Sequence, residues 1–491
     1  MVFSFKPIIL WTDALIAVLL LAGLVYGWTV LRHEHLRAPW KRVIRHSSGL
    51  VSMIVLAVFL VIGLLDTLHF RPAMEIQKNG ERAYAVEVLS LLDLIVAPLR
   101  RHTEKTYSAP LSTHLFSKET IELADGRQVR TYPRLVYGGA HLKNPNQDRK
   151  SDIAKRGAFG LILALVFWCL AGSVLIGILA RRRKIGLASC LKGVLRRQEE
   201  IPWNAALWTL LGLLLLAVPT IVLSLKYHIF GTDKVGQDVL YLALKSIRTG
   251  LVIGTLTTLV MLPFAVLLGI MAGYFQGWID DIIQYVYTTL NSIPAVLLIA
   301  AAVLMTQVYM DSHPELFETA SARADLRLLF LCLILGVTSW TGLCRLMRGE
   351  SLKLREMEYI QAAQAFGVSD FRIIVRHILP NVMHIVLIAI VMDFSGLVLA
   401  EAVLSYVGVG VDPSMISFGT MINSARLEMA REPMVWWSLA AAFGFMFLLV
   451  LFANLFSDAV RDAFDPRVQT RAVRLQIFKK RLKPLEQETQ P

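Results

Sequence analysis

The chain has 491 residues, of which 55% are hydrophobic and only 18% charged, a balance that excludes an ordinary water-soluble domain. Its net charge of +13 would suit a nucleic-acid ligand, but the basic residues are distributed as membrane topology requires, so no nucleic-acid partner is expected. Four cysteines, Cys169, Cys190, Cys332 and Cys344, form no C-x-x-C pair and indicate neither a disulfide framework nor a zinc site.

Crossing a hydrocarbon core takes about 20 consecutive apolar residues in a helix. Nine such stretches predict an all-α polytopic membrane protein: 8–31, 48–70, 157–180, 204–225, 249–273, 286–308, 328–346, 383–404 and 435–456. The first has only Lys6 ahead of it and no small-x-small cleavage site, so it is expected to be a retained span rather than a signal peptide. His33-Glu34-His35 follows in a basic loop and reads as a solvated interfacial face, not a metal site.

Between the second and third spans lies loop 71–156, mixed in charge, with short apolar runs such as Val88-Leu89 and Leu91-Leu92. It fits a small extracytoplasmic subdomain and a poorly ordered excursion equally well. Residues 181–203 open with Arg181-Arg182-Arg183-Lys184 and end near Pro202, as a linker does, which places a boundary near residue 200. The expected units are an extension of three spans over 1–200, a compact unit of six spans over 201–468, and a basic cytoplasmic tail over 469–491.

With the N-terminus outside, the short inner segments carry 25 Lys and Arg and the short outer segments 9. Loop 71–156 holds 15 more, but loops of that length cross largely regardless of charge. The asymmetry predicts an N-out, C-in bundle.

Within the six-span unit, Gly250/Gly254 and Gly269/Gly273/Gly277 have the spacing that lets helices pack closely in lipid. Pro263 and Pro294 fall inside predicted spans and are expected to kink them. Asp393 and Glu401 share one span, where carboxylates are costly, and Glu401 near its outer end fits a structural hydrogen bond. Gly408 and Gly410, ahead of Pro413, predict an irregular outer segment lining a pathway. Pro294, Asp393, Glu401, Gly408 and Gly410 are therefore the pathway or gate candidates. G-x-x-x-x-G-K-[ST], H-E-x-x-H and G-x-S-x-G do not occur, so neither catalytic residues nor metal ligands are predicted.

The loop 347–382 is far longer than a link between two helices requires. Leu354, Met357, Ile360, Ala363 and Phe366 recur every three residues, which predicts a helical stripe. Gly367 supplies a break, Ser369 a helix N-cap and Asp370 a negative charge at the start of a second helix. Phe371, Ile374, Val375 and Ile378 would be its apolar face, with Arg372 and Arg376 opposite and Pro380 stopping or kinking it before the next span. An amphipathic pair lying on the bilayer and a docking element for a cytoplasmic partner both fit this pattern.

The run from Glu358 to Asn381, EYIQAAQAFGVSDFRIIVRHILPN, resembles the "EAA" loop of bacterial ABC importer permeases, in particular the dipeptide/oligopeptide/nickel branch with its R-H-x-L-P-N ending. Ala362, Ala363, Gly367, Leu379 and Pro380 match the general motif. Gln361 stands where the family usually has Glu, and His377 where the general motif has Ile. Further blocks agree in order: Gly231-Thr232-Asp233…Gly236-Gln237-Asp238, then Glu401…Gly408-Val409-Gly410, Ser417-Phe418-Gly419, Trp436-Trp437 and Asp465-Pro466-Arg467. The resemblance covers about 200–468; the three preceding spans depart from it.

The resemblance implies a type I ABC importer permease core of about six transmembrane helices with three added ahead of it, in a bacterial inner membrane. It implies a homologous second permease, two cytoplasmic ATPase subunits holding ATP and Mg, and an extracytoplasmic substrate-binding protein, with no cofactor on this chain. Glu358, Gln361, Ala362, Ala363, Gly367, Ser369, Arg372, Arg376, His377, Leu379 and Pro380 would form the coupling element. Peptide is the expected cargo, with nickel, glutathione and peptide antibiotics as other cargoes of such systems. An ion-driven secondary transporter would instead carry mirrored repeats, and none is visible. A sensor or scaffold built around loop 71–156 would need no pathway.

Overall fold

The computed structural model describes residues 5–73, 84–122, 128–195, 200–317 and 319–464. The tail 469–491 and the block Asp465-Pro466-Arg467 lie outside them. The chain enters on strand β1 (Phe5–Ile8) and helices α1 (Trp11–Arg32), α2 (Glu34–Arg45) and α3 (Ser47–Thr67). Strands β2 (His69–Pro72) and β3 (Leu89–Ser90), short helices α4 (Leu91–Ile95) and α5 (Ala97–Arg101), and the hairpin strands β4 (Glu119–Glu122) and β5 (Gln128–Thr131) follow. Helices α6 (Pro145–Arg183), α7 (Leu187–Leu195) and α8 (Trp203–Ser224) lead to the long α9 (Val239–Phe275). Next come α10 (Gly277–Ser292), α11 (Ala295–Ser312), α12 (Ala320–Ser339), α13 (Thr341–Arg355) and α14 (Glu358–Ala365). A single 38-residue helix, α15 (Asp370–Val407), then precedes α16 (Phe418–Met429) and α17 (Trp437–Phe464).

Eight helices among the described residues are long and apolar enough to cross a membrane, and the α12–α13 pair, bent by 41°, makes a ninth if counted as one span. One predicted span differs from expectation. Pro294 does not kink a helix over 286–308: the chain breaks at Ile293-Pro294, and α11 begins with Pro294 at its N-cap. An N-terminal position suits a residue that has no N–H to donate and pushes its predecessor out of the helical region. Pro263, by contrast, sits inside continuous α9.

The bundle has two unlike ends. At one, β1 pairs antiparallel with β2 (Phe5 with Pro72, Ile8 with His69) and β2 with β3. The described parts of loop 71–156 pack down onto the six-span unit: Leu99 and Tyr107 share a buried cluster with Val239, Tyr241 and Trp437. The close approach of the two segments is visible at Gly236, where φ is +80° and a Cβ would lie 1.8 Å from the Glu104 carbonyl oxygen. At the other end hangs the segment 356–378, seated on the ends of α9 and α13.

Small residues set the helix contacts in between. Gly269 and Gly273 of α9 lie against the backbone of α13, where added Cβ atoms would meet the carbonyl oxygens of Cys344 and Arg348 at 2.7 and 2.6 Å. Gly254 receives the ring of Phe394. These glycines seat helices of the same chain, whereas Gly277 has open space beside it.

Candidate functional site

The loop end is built from α14, a glycine turn and the first turns of α15. Gly367 takes φ +73°, and the N–H groups of Gly367 and Val368 donate to the carbonyls of Gln364 (2.9 Å) and Ala363 (3.1 Å). This pair of bonds closes α14 in a Schellman cap and turns the chain back. Ile360, Ile373 and Ile378 are fully buried in one cluster with Tyr274, Cys344 and Met347. Burying each such side chain is worth about 1.5–3 kcal/mol, enough to hold the pair in place. The Tyr274 hydroxyl donates to Asp370 Oδ1 (2.7 Å) and accepts from Gln364 Nε2 (3.2 Å), tying both arms to α9. Arg348 holds Asp280 with two bonds of 2.6 and 2.7 Å, which ties α13 to α10.

The opposite face is bare. Phe366 is 88% and Phe371 77% exposed, and Met357, Tyr359 and Val375 are exposed beside them. Glu358, Gln361, Ala362, Gly367, Ser369, Arg372, Arg376 and Pro380 share this exposed side, while Ala363, His377 and Leu379 are half-buried. All eleven coupling candidates thus fall in one compact element.

Three local expectations are corrected. The every-third stripe does not stay on one face, because residues three apart step about 300° around a helix and drift by roughly 60° each time. Ile360 is buried, but Met357 and Phe366, two other members of that run, are exposed. In the second arm the buried side is Ile373 and Ile378, and Phe371 and Val375 face outward. Pro380 does not end that arm: a π-helical turn over Ile374–Ile378 widens the helix immediately before the proline ring, and the helix runs on to Val407. Ser369 occupies the N-cap position without a side-chain capping bond.

The pathway candidates scatter. Gly408 and Gly410 line a cavity at the far end, whereas Pro294 is exposed at the start of α11. Asp393 is half-buried in α15 with no hydrogen bond or ion pair to another described residue. Glu401 is sealed in, its Oε1 accepting from Ser405 Oγ (2.7 Å) and Ser417 Oγ (2.8 Å), which clamps α15 to the cap of α16. That is a structural hydrogen-bond role.

Several charged groups escaped the sequence reading. Arg248 in α9 donates to Asp13 Oδ1 (2.6 Å) and Thr12 Oγ1 (3.1 Å) in α1, and lies 3.8 Å from Asp325 in α12. Lys245 bridges Asp66 (2.8 Å) and Asp93 (3.0 Å). His228 lies between Asp238 (2.7 Å) and Glu104 (3.5 Å), all buried. Glu104 also accepts the N–H groups of Val136, Tyr137 and Gly138 at 2.8–3.0 Å. Burial works against charge on both, yet these partners hold the His228 imidazole up at about 9 and the Glu104 carboxyl down at about 2. Asp13 and Asp66 inside apolar stretches were the available signal. Lys245 and Arg248 read as loop residues because α9 begins ten residues before the expected span.

The profile of the family described as "Binding-protein-dependent transport system inner membrane component" matches residues 265–470. The oligopeptide transport system permease protein of Mycobacterium tuberculosis is 32% identical over 239 residues, 49% of this chain and 76% of that protein. The glutathione transport system permease protein of Pectobacterium atrosepticum is 32% identical over 245 residues, 50% of this chain and 74% of its own. The dipeptide transport system permease protein of Bacillus subtilis is 30% identical over 242 residues, 49% and 69% respectively. A solved methionine ABC transporter, in an inward-facing conformation, aligns with 46% of this chain and 97% of its own at 14% identity and TM-score 0.33.

Proposed function

We propose, from the premise that this chain belongs to the family of binding-protein-dependent transport system inner membrane components, that it is the permease subunit of an ATP-driven importer of short peptides. The observation that carries the reading is the element at 356–378, fixed to the core by Ile360, Ile373 and Ile378 and presenting Phe366 and Phe371 outward. An exposed aromatic face on a rigidly seated helix pair is suited to a groove in a partner.

Two cytoplasmic ATPase subunits, holding ATP and Mg, engage this face, and a homologous permease completes the pathway. An extracytoplasmic binding protein delivers the peptide. The chain sits in a bacterial inner membrane with its N-terminus outside, an orientation supported by the 25-to-9 bias of Lys and Arg between short inner and outer segments. Chemistry is left to the ATPases; this chain stabilises inward- and outward-open states differently.

The continuity of α15 gives the coupling a direct route. Its first turn belongs to the docking element and its body is a span, so a displacement at Asp370 is passed along one continuous helix, through the π turn, to the span. Tyr274 and the Asp280–Arg348 pair carry the same motion into α9 and α10.

The test is uptake of radiolabelled trialanine by liposomes holding the complex purified through this full-length chain. Uptake is expected to need ATP and the binding protein, and to stop in Gly367→Asp at normal expression. Uptake that persists without ATP and follows an ion gradient would overturn the reading in favour of a secondary transporter.

A further inference from the structure

At the end opposite the docking element lies a cavity of about 620 Å³ that the proposed coupling does not use. Four parts of the chain meet around it. Tyr107 comes from the loop between α5 and β4, Lys234 from the turn before α9, Gly408 and Gly410 from the segment after α15, and Glu428 and Arg431 from the end of α16.

Glu428 is the unusual member. It is 4% exposed, and its Oε1 accepts the Tyr107 hydroxyl at 3.2 Å. Its Oε2 has no hydrogen-bond partner among the described residues, and no basic side chain among them lies within ion-pairing distance. A buried carboxylate oxygen without a donor is unfavourable, and burial pushes the Glu428 carboxyl above its ordinary pKa. The two cations of the cavity stay at the rim: Lys234 and Arg431 are exposed, with the guanidinium of Arg431 5.2 Å from the centre of the Tyr107 ring. Acceptor at the base and cations at the mouth are the reverse of an anion site. They complement a zwitterion that enters amino group first. Gly408 adds a wall without a side chain, and nothing lies within 4 Å of where its Cβ would be.

We infer that this cavity binds the free amino terminus of a short peptide, its ammonium group donating to Glu428 Oε2 and its carboxylate facing Lys234 and Arg431. The inference rests on the reading of peptide as the substrate and adds to it a recognition step made by this chain. Tyr107 fixes the Glu428 carboxylate and is a positioning residue.

The test is calorimetric titration of the full-length chain in lipid nanodiscs, at neutral pH and without ATPase, with trialanine and with N-acetyl-trialanine. A charge-assisted hydrogen bond predicts that trialanine binds at least about tenfold more tightly than its acetylated form. Glu428→Gln, checked for an unchanged elution profile, should lower trialanine affinity about tenfold and erase the preference. Equal affinity for the two peptides in the wild-type chain, binding of neither, or a preference that survives Glu428→Gln would each overturn the inference. The wild-type comparison needs no variant to fold. Because it also needs no ATP, an amino-group preference alongside ATP-independent uptake would sink the importer reading and leave this site standing.

Discussion

The two ends of the bundle treat their chemistry in opposite ways. At the end that carries the described parts of loop 71–156, three buried charge clusters outside the Glu428 cavity find their partners within the chain: Arg248 with Asp13, Lys245 with Asp66 and Asp93, His228 with Glu104 and Asp238. At the other end the apolar interior of the 356–378 element is fully packed, but Phe366 and Phe371 stand almost free. Outside that cavity the first end is satisfied by its own polypeptide, and the three extra spans contribute to this, since Asp13 and Asp66 belong to α1 and α3. The second end is complete as a fold and unfinished as a surface. Substitutions should therefore register as lost stability at one end and as lost partnership at the other.

The largest effect is expected at the buried ion pairs. Among the described residues, Arg248→Ala leaves buried Asp13 with only His69, and Asp325 with only Thr12, as side-chain partners, and should lower stability by about 3–5 kcal/mol, read as a shift of the thermal unfolding transition of the purified chain. Retention of the wild-type transition would break the contrast by showing that the first end does not depend on its internal pairs. Next comes Gly236→Ala, which forces a side chain onto φ +80° beside the Glu104 carbonyl. The backbone strain alone should cost about 1–3 kcal/mol in the same assay.

A pH titration sharpens the comparison further. The folded pKa of His228, about 9, lies above its ordinary 6.5, so its contribution is complete below about 6.5 and is lost as pH rises through about 9. Glu104, held at about 2 against an ordinary 4.5, contributes fully above about 4.5 and loses that contribution as pH falls through about 2. Stability measured by unfolding should fall between pH 6.5 and 9 in the wild-type chain, and His228→Asn should flatten that slope. An unchanged slope in the variant would remove His228 as its cause.

The smallest effect on stability is expected at the loop end. Phe366→Ser changes an exposed side chain and should shift unfolding by less than about 0.5 kcal/mol, while abolishing ATP-dependent uptake. A large stability loss there would mean that the aromatic face is held by contacts within the chain.

Much of this organisation was legible in the residues. Long apolar runs located the spans because lipid demands a fixed helix length, and Gly367 located the turn because its backbone conformation excludes most side chains. What escaped depends on tertiary context. The exposure of Phe371 and the burial of Ile373 follow from how the arm rests on Met347 and Cys344, which no local period encodes. Pro380 does not stop the arm because the π turn ahead of it accommodates the ring, a local widening that the residue sequence does not encode. The cavity at Glu428 unites residues 107, 234 and 428, and a linear reading could flag only its Gly408 and Gly410 wall.

The most direct test of the central claim is photo-crosslinking from position 366. A benzophenone side chain replacing Phe366 in the full-length protein, irradiated in intact cells, should yield an adduct with a nucleotide-hydrolysing subunit, and the yield should change when ATP is depleted. Adducts with lipid alone, or with a protein on the outer side of the membrane, would contradict the account.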